Sequence, residues 1–278
     1  VDWGNSTLTA RWNHLFNKKL FSNTTLIYND YAFRISSSED NVSIKLYSGI
    51  QDINSKIDFD YFPGTLHKIK FGANYTYHTF IPSAVKGQSE DIDFETKQKK
   101  YVHDGALYVN DDITLNEKIS LNIGLRAPVF IYKTTNYFGA EPRVSTKYSL
   151  TRTAALKAGY TWMNQFMHLV SNSSVGTPMD LWVPSSDIVK PQVAHQIAAG
   201  YFRNFKNDVY ETSVEVYYKS MSNLIEYKEG AQIFFNDNID KELTFGKGWS
   251  YGSEWFIHKR EGRINGWIGY TLSWANRQ

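Results

Sequence analysis

The sequence has 278 residues, with 30 Lys or Arg against 28 Asp or Glu, and the resulting net charge of +2 offers no basic surface for nucleic acid. Hydrophobic residues make up 42%, while Gly and Pro number only 18 and 7, so the chain can order itself and is neither disordered nor fibrous. The lack of cysteine excludes a disulfide scaffold, thiol catalysis and cysteine-bound zinc.

The 19 Tyr, 17 Phe and 8 Trp suit interfaces where a ring is half wet and half apolar. No apolar run approaches the ~18 residues of a spanning helix. The opening VDWGNSTLTA lacks the basic flank and apolar core of a signal peptide. Helical periodicity is nearly absent, whereas period-2 alternation runs from end to end. In chain order it predicts about twelve strands, at 5–13, 20–34, 42–61, 67–80, 100–115, 118–132, 142–149, 153–165, 192–205, 209–226, 248–259 and 263–275. Many exceed the five or six residues typical of soluble strands.

The third strand changes phase, from Val42, Ile44, Leu46 and Ile50 to Ile53, Ile57, Phe59 and Tyr61, which predicts a bulge near Gln51 and Asp52. In 67–79, Ile69, Phe71, Ala73, Tyr75 and Tyr77 oppose Lys68, Lys70, Asn74, Thr76 and His78. Asp111 and Arg203 fall on otherwise apolar faces, each within about five residues of a short turn, where a charge costs less. In 209–221, Tyr210, Val214, Val216 and Tyr218 oppose Glu211, Ser213, Glu215 and Lys219. In the last strand, Ile264, Ile268, Tyr270, Leu272 and Trp274 oppose Asn265, Trp267, Thr271 and Ser273.

Short turns at 15–19, 63–66, 116–117, 150–152, 206–208 and 260–262 alternate with longer loops, the longest being 81–99, 166–191 and 227–247. That alternation predicts an all-β transmembrane antiparallel barrel segment, with turns on the periplasmic side and loops outside. Both chain ends then fall at the outer rim. Barrels usually keep them on the periplasmic side, so the chain reads as an interior piece of a barrel of fourteen or more strands.

The stretches WGNSTLTARWNHLFNKKLFSNTTLIYNDYAFR (Trp3 to Arg34), GALYVNDD (Gly105 to Asp112) and EPRVSTKYSL (Glu141 to Leu150) resemble TonB-dependent outer-membrane receptors. The stretch from Asn164 to Phe205, followed by Tyr210 to Ala231, resembles the same family through an outer loop and its flanking strands. The resemblance implies a 22-stranded barrel, of which residues 1–278 are a portion, closed by an N-terminal plug. It also implies uptake of a siderophore, cobalamin, glycan or peptide, energised by a TonB-type coupling complex acting through the plug, in contact with outer-membrane lipid and with a surface lipoprotein as a further partner. No plug, TonB-box segment or aromatic-ended final strand is recognisable, so this piece is not expected to transport alone. An open porin-like or fatty-acid-type channel, and a soluble β-rich surface-binding protein such as a propeller, stand as alternatives.

No GxSxG, Walker-A or HExxH motif occurs, and no cofactor, metal or catalytic residue is assigned. The glycines of GKGWSYG, Gly246, Gly248 and Gly252, read as a turn. Oxygen-rich loops around Glu90, Asp91, Asp93 and Glu95, and around Asn236, Asn238 and Asp240, read as solvated faces. Lys147, Lys157, Glu211, Glu215, Lys219 and Glu254 read as the ordinary polar lining of a lumen. In the loop 166–191, His168, Trp182 and Asp187 are the candidate ligand-binding residues, on an amphipathic segment able to fold over a ligand at the barrel mouth.

Overall fold

A computed structural model describes residues 1–39, 42–88, 93–97, 99–171, 180–231, 236 and 238–278. In chain order the strands are β1 (Asp2–Asn17), β2 (Leu20–Glu39), β3 (Val42–Tyr61), β4 (His67–Gln88), β5 (Asp93–Lys97), β6 (Lys100–Thr114), β7 (Ile119–Tyr132) and β8 (Thr135–Phe138). They continue with β9 (Glu141–Ser149), β10 (Ala154–Gln165), β11 (Met167–Ser171), β12 (Asp180–Pro184), β13 (Gln192–Phe205), β14 (Tyr210–Tyr227), β15 (Leu243–Lys259) and β16 (Gly266–Arg277). Twelve of these form an antiparallel meander, β1-β2-β3-β4-β6-β7-β9-β10-β13-β14-β15-β16, to which β5 and β8 add on β4 and β7. The hairpin β11–β12 forms a separate sheet.

Register assigns the two faces. Leu8 on β1 opposes Tyr28 on β2, and the row continues through Ile53, Tyr77, His103 and Ile131. Further along, Leu156 opposes Tyr201, followed by Val214, Trp255 and Tyr270. On this face Leu26, Phe71, Leu107, Leu125, Ile197, Val216, Trp255 and Ile268 are all exposed. A face of large apolar side chains twelve strands wide, left uncovered by the described residues, has lipid as its natural solvent.

The other face is polar. Asn54 Nδ2 donates to Asn74 Oδ1 and to Thr76 Oγ1, each at 2.7 Å. Asp58 takes Lys56 Nζ at 2.9 Å and the Tyr108 hydroxyl at 2.5 Å. Glu215 stands directly opposite Glu254, itself opposite Thr271. The six lumen positions expected from sequence share this face by register. The sheet curls toward it, because strands near both ends meet the same hairpin: β11 lies against β14, and β12 against β3 and β4.

The hairpin is cored on both sides. Val170, Leu181 and Val183 join Val189, Ile239 and Leu243, with Phe33, Ile35, Leu46 and Ile225 packed around them. Beside this cluster, Ile50, Phe80, Val102, Phe130, Tyr132 and Phe166 form a second one, against which Met167 and Trp182 pack. Burying each of the larger side chains contributes roughly 1.5–3 kcal/mol.

This packing corrects the expected bulge at Gln51 and Asp52. Pairing of β3 with β2 is unbroken from Leu20↔Tyr61 to Glu39↔Val42. The register shift lies between Tyr47 and Gly49 against β4, where Pro82 and Ser83 together oppose Ser48. The apolar residues change phase because Leu46 and Ile50 belong to the inward face and enter the two clusters, whereas Ile53 faces outward. The long loops also hold more strand than expected: β4 runs on to Gln88, the 166–191 segment contains the hairpin, and β15 begins at Leu243. GKGWSYG is therefore strand and not turn. Its glycines let β16 come close: a Cβ on Gly252 would meet the Leu272 carbonyl oxygen at 2.6 Å.

Candidate functional site

Beneath the hairpin, the polar face of the wall holds a cavity of ≈ 520 Å³. Arg126 on β7 and Glu141 and Arg143 on β9 form its charged wall, Asp104 on β6, Asn164 on β10 and Lys219 on β14 complete it, and Met167 and Trp182 supply an apolar roof. Strand geometry explains the placement. Arg126 pairs directly with Glu141, and Arg143 lies two residues on, so all three side chains share one face.

Glu141 is the organising group, being only 2% exposed. Its Oε2 accepts from Arg126 Nη1 at 3.1 Å and lies 3.7 Å from Arg143 Nη2. Its Oε1 accepts from the Asn164 backbone N–H at 3.0 Å and from Asn164 Nδ2 at 3.3 Å. A buried carboxylate so surrounded is satisfied; it holds the Arg126 guanidinium by a hydrogen bond and attracts the half-exposed Arg143 guanidinium. Next to it, Asp104 Oδ1 is buried without a hydrogen-bond partner. Two guanidinium groups and the Lys219 ammonium against two carboxylates leave the cavity able to hold an anionic group.

The hairpin distributes the three residues expected from its sequence. His168 and Val183 are cross-strand partners, and His168 sits inside the hairpin core at 1% exposure. Its Nε2 shares a 3.0 Å hydrogen bond with Ser185 Oγ, and burial pulls its pKa down to about 4, so the ring is neutral at pH 7. Trp182, opposite Leu169, is half-buried and faces the cavity. Asp187 is exposed on the run towards β13, where its charge acts after burial in pushing the Tyr137 hydroxyl above its usual range. The structure brings Trp182 to the cavity and leaves His168 and Asp187 away from its lining.

A polar clasp holds the roof down. Asp240, in the single-turn 3-10 helix Ile239–Glu242, takes Ser186 Oγ at 2.7 Å and Lys100 Nζ at 3.4 Å. The Tyr137 hydroxyl donates to the Ser186 carbonyl at 2.6 Å. Four separate parts of the chain thus meet at one point. Of the oxygen-rich loop residues, Asp240 is committed to this clasp, while Glu90 and Asp91 lie outside the described residues. Arg126, Glu141 and Arg143 were missed in the sequence, although opposite charges at 141 and 143 on one strand face were the available sign of them.

The sequence matches the family described as TonB dependent receptor-like, beta-barrel, over residues 1–277. No curated protein matches it. Among solved structures the chain is similar to the copper transporter OprC, with a TM-score of 0.73 and 14% identity over 98% of this chain and 46% of that one. It is similar to the FrpB iron transporter from Neisseria meningitidis, with a TM-score of 0.70 and 10% identity over 98% and 44% of the two chains. Likewise it resembles the pyoverdine outer membrane receptor FpvA from Pseudomonas aeruginosa PAO1, with a TM-score of 0.69 and 14% identity over 99% and 45%. The chain spans about half the length of the proteins it matches, and at these identities the likeness is one of fold.

Proposed function

This chain belongs to the TonB-dependent receptor β-barrel family, and from that premise we propose that it builds about half the wall of a Gram-negative outer-membrane receptor that takes up a scarce nutrient. The whole of residues 1–278 is one barrel portion, in a closed barrel of 22 strands. Members of this family are receptors and transporters, not enzymes. In the intact protein, energy for release of the ligand inward comes from a TonB-type complex acting through a plug domain.

The observation that carries this reading is the pairing of faces: an exposed apolar face across twelve strands, backed by a polar face that cradles the cavity at its mouth. The cavity's Arg126, Arg143 and Lys219 suit acidic oxygens, and its Met167 and Trp182 suit a flat apolar moiety. An anionic metal chelate has both. The similar structures are a copper transporter, an iron transporter and a pyoverdine receptor, which agrees with that class. The clasped hairpin over the cavity favours a gated receptor over an open channel.

The test is uptake by cells whose chromosomal copy of the full-length gene is deleted. Complementation should restore accumulation of a radiolabelled ferric or cupric chelate, and collapse of the proton gradient should abolish it. Arg126→Ala with Arg143→Ala should weaken binding of the chelate to whole cells while barrel abundance in the outer membrane stays constant. Accumulation that persists without a proton gradient would instead establish a passive channel.

A further inference from the structure

At the turn end of the wall, the outward face of β13, β14 and β15 carries positive charge that has no ion-pair partner among the described residues. Phe205, Tyr210, Lys259 and Gly266 form the last cross-strand row, and Arg203 lies two rows above on the same face, opposite Thr212. The Arg203 guanidinium carbon sits 4.7 Å from the Phe205 ring centroid. Lys206 Nζ and Lys259 Nζ lie 5.5 and 6.0 Å from the centroid of one ring, that of Tyr210. Three cations thus rest on two aromatic rings at the border of the apolar face.

Among the described residues, no carboxylate lies within ion-pair distance of these three groups. Two acids nearby in sequence are engaged elsewhere: Asp208 accepts from Asn204 Nδ2 at 2.7 Å, and Glu211 takes Arg260 at 2.8 Å on the opposite face, while Glu261 is exposed and makes no ion pair with Lys259. Two other outward charges near the strand ends have partners. Arg34 pairs with Asp2 at 3.3 Å, and Asp111 with His67 at 2.8 Å. Lys206, Asn207 and Asp208 also hold φ of 51°, 55° and 66°, a left-handed run without glycine that fixes where Lys206 projects.

We propose that Arg203, Lys206 and Lys259 bind the phosphate of an anionic phospholipid in the inner leaflet. Immediately above them, Leu156, Tyr201, Val214 and Trp255 continue the apolar face, where the acyl chains of the same lipid would lie. Phosphate supplies the missing negative charge, and the rings hold the cations at headgroup depth. This inference rests on the membrane reading of the wall.

The experiment places the full-length protein in nanodiscs of equal phosphatidylcholine and phosphatidylglycerol and measures, by native mass spectrometry, which lipids stay bound. The wild type should retain phosphatidylglycerol in preference to phosphatidylcholine. The Arg203→Gln, Lys206→Gln, Lys259→Gln triple variant should lose that preference, by roughly fivefold for each charge removed. Replacing the same residues by Lys, Arg and Arg should keep it. So should Lys157→Gln, which removes a cation seated 3.9 Å from the Phe202 ring on the inward face. Equal retention of the two lipids, or an unchanged preference in the triple glutamine variant, overturns the site while leaving the barrel intact. Failure of the wild type to enter these nanodiscs overturns the membrane reading and the site with it.

Discussion

Leu107 and Phe130 sit on neighbouring strands of one sheet, yet the first is 66% exposed and the second fully buried. In the wall, apolar side chains point outward and polar ones inward. At the mouth the order reverses: Phe130 stacks on Phe166 with ring centroids 5.1 Å apart, and Phe80, Val102 and Ile50 close around them. Alternation along a strand sorts residues into two faces, and the medium beyond each face decides which set is apolar. Next to lipid the outside is oily. Above the membrane the outside is water, and apolar residues gain only by turning in under the hairpin.

The largest expected effect lies in the mouth. Phe130→Ala should cost about 3–5 kcal/mol by opening a cavity in the cluster. Hydrogen exchange in β11 and β12 should accelerate while the wall strands keep their protection. If wall and mouth loosen together, they are one cooperative core and the contrast between them dissolves.

Arginine substitutions address the wall itself. Leu107→Arg, on the outward face in mid-strand, should cost ~2 to 4 kcal/mol in a refolding titration of the intact barrel in lipid. Ile268→Arg should cost less, because Ile268 lies only two cross-strand rows from the end of β16 and a charge there reaches the interface. Thr271→Arg faces Glu254 on the polar side and should be nearly neutral. A penalty for Thr271→Arg equal to that for Leu107→Arg would mean the faces are exchanged.

Acid should separate the two regions without any mutation. His168 is held neutral with a pKa of about 4, below its ordinary 6.5. A depressed histidine contributes stability that is fully present above 6.5 and is lost as the pH falls through 4, because the unfolded hairpin takes up the proton first. The loss is at most roughly 3 kcal/mol. Exchange in the hairpin should rise between pH 6.5 and 4, and His168→Gln should flatten that rise. Equal acid sensitivity in the wild type and the variant would assign the effect to other groups.

The smallest effect is expected at the clasp. Lys100→Met should loosen the roof by about 1.5 kcal/mol, the scale of a charged hydrogen bond at the edge of solvent. A double-mutant cycle with Asp240→Asn isolates the pair. A coupling near zero would make the apolar clusters the whole of what holds the hairpin.

The wall was legible because its evidence is local. Ile69, Phe71, Ala73, Tyr75 and Tyr77 alternate with polar neighbours, and the period assigns them to one face without knowledge of any partner strand. The mouth was not. Leu46 and Ile50 carry the same alternation as Ile53 and Ile57, and only the hairpin lying over them explains why their phase differs. The three residues expected at a site share a loop but not a direction: Trp182 reaches the cavity, while His168 alternates into the hairpin core and Asp187 stays in water.

By itself, the sequence determined the all-β class, twelve strands, their faces and the alternation of turn and loop, since each follows from spacing along a single strand or between neighbours. Only the tertiary structure decided that β11 and β12 pair across the mouth and that Arg126, Glu141 and Arg143 meet beneath them. It alone brought Lys100 to Asp240, 140 residues away. Those outcomes depend on how far the sheet curls and what it curls around, which is set by packing between segments remote in the chain and leaves no period to read.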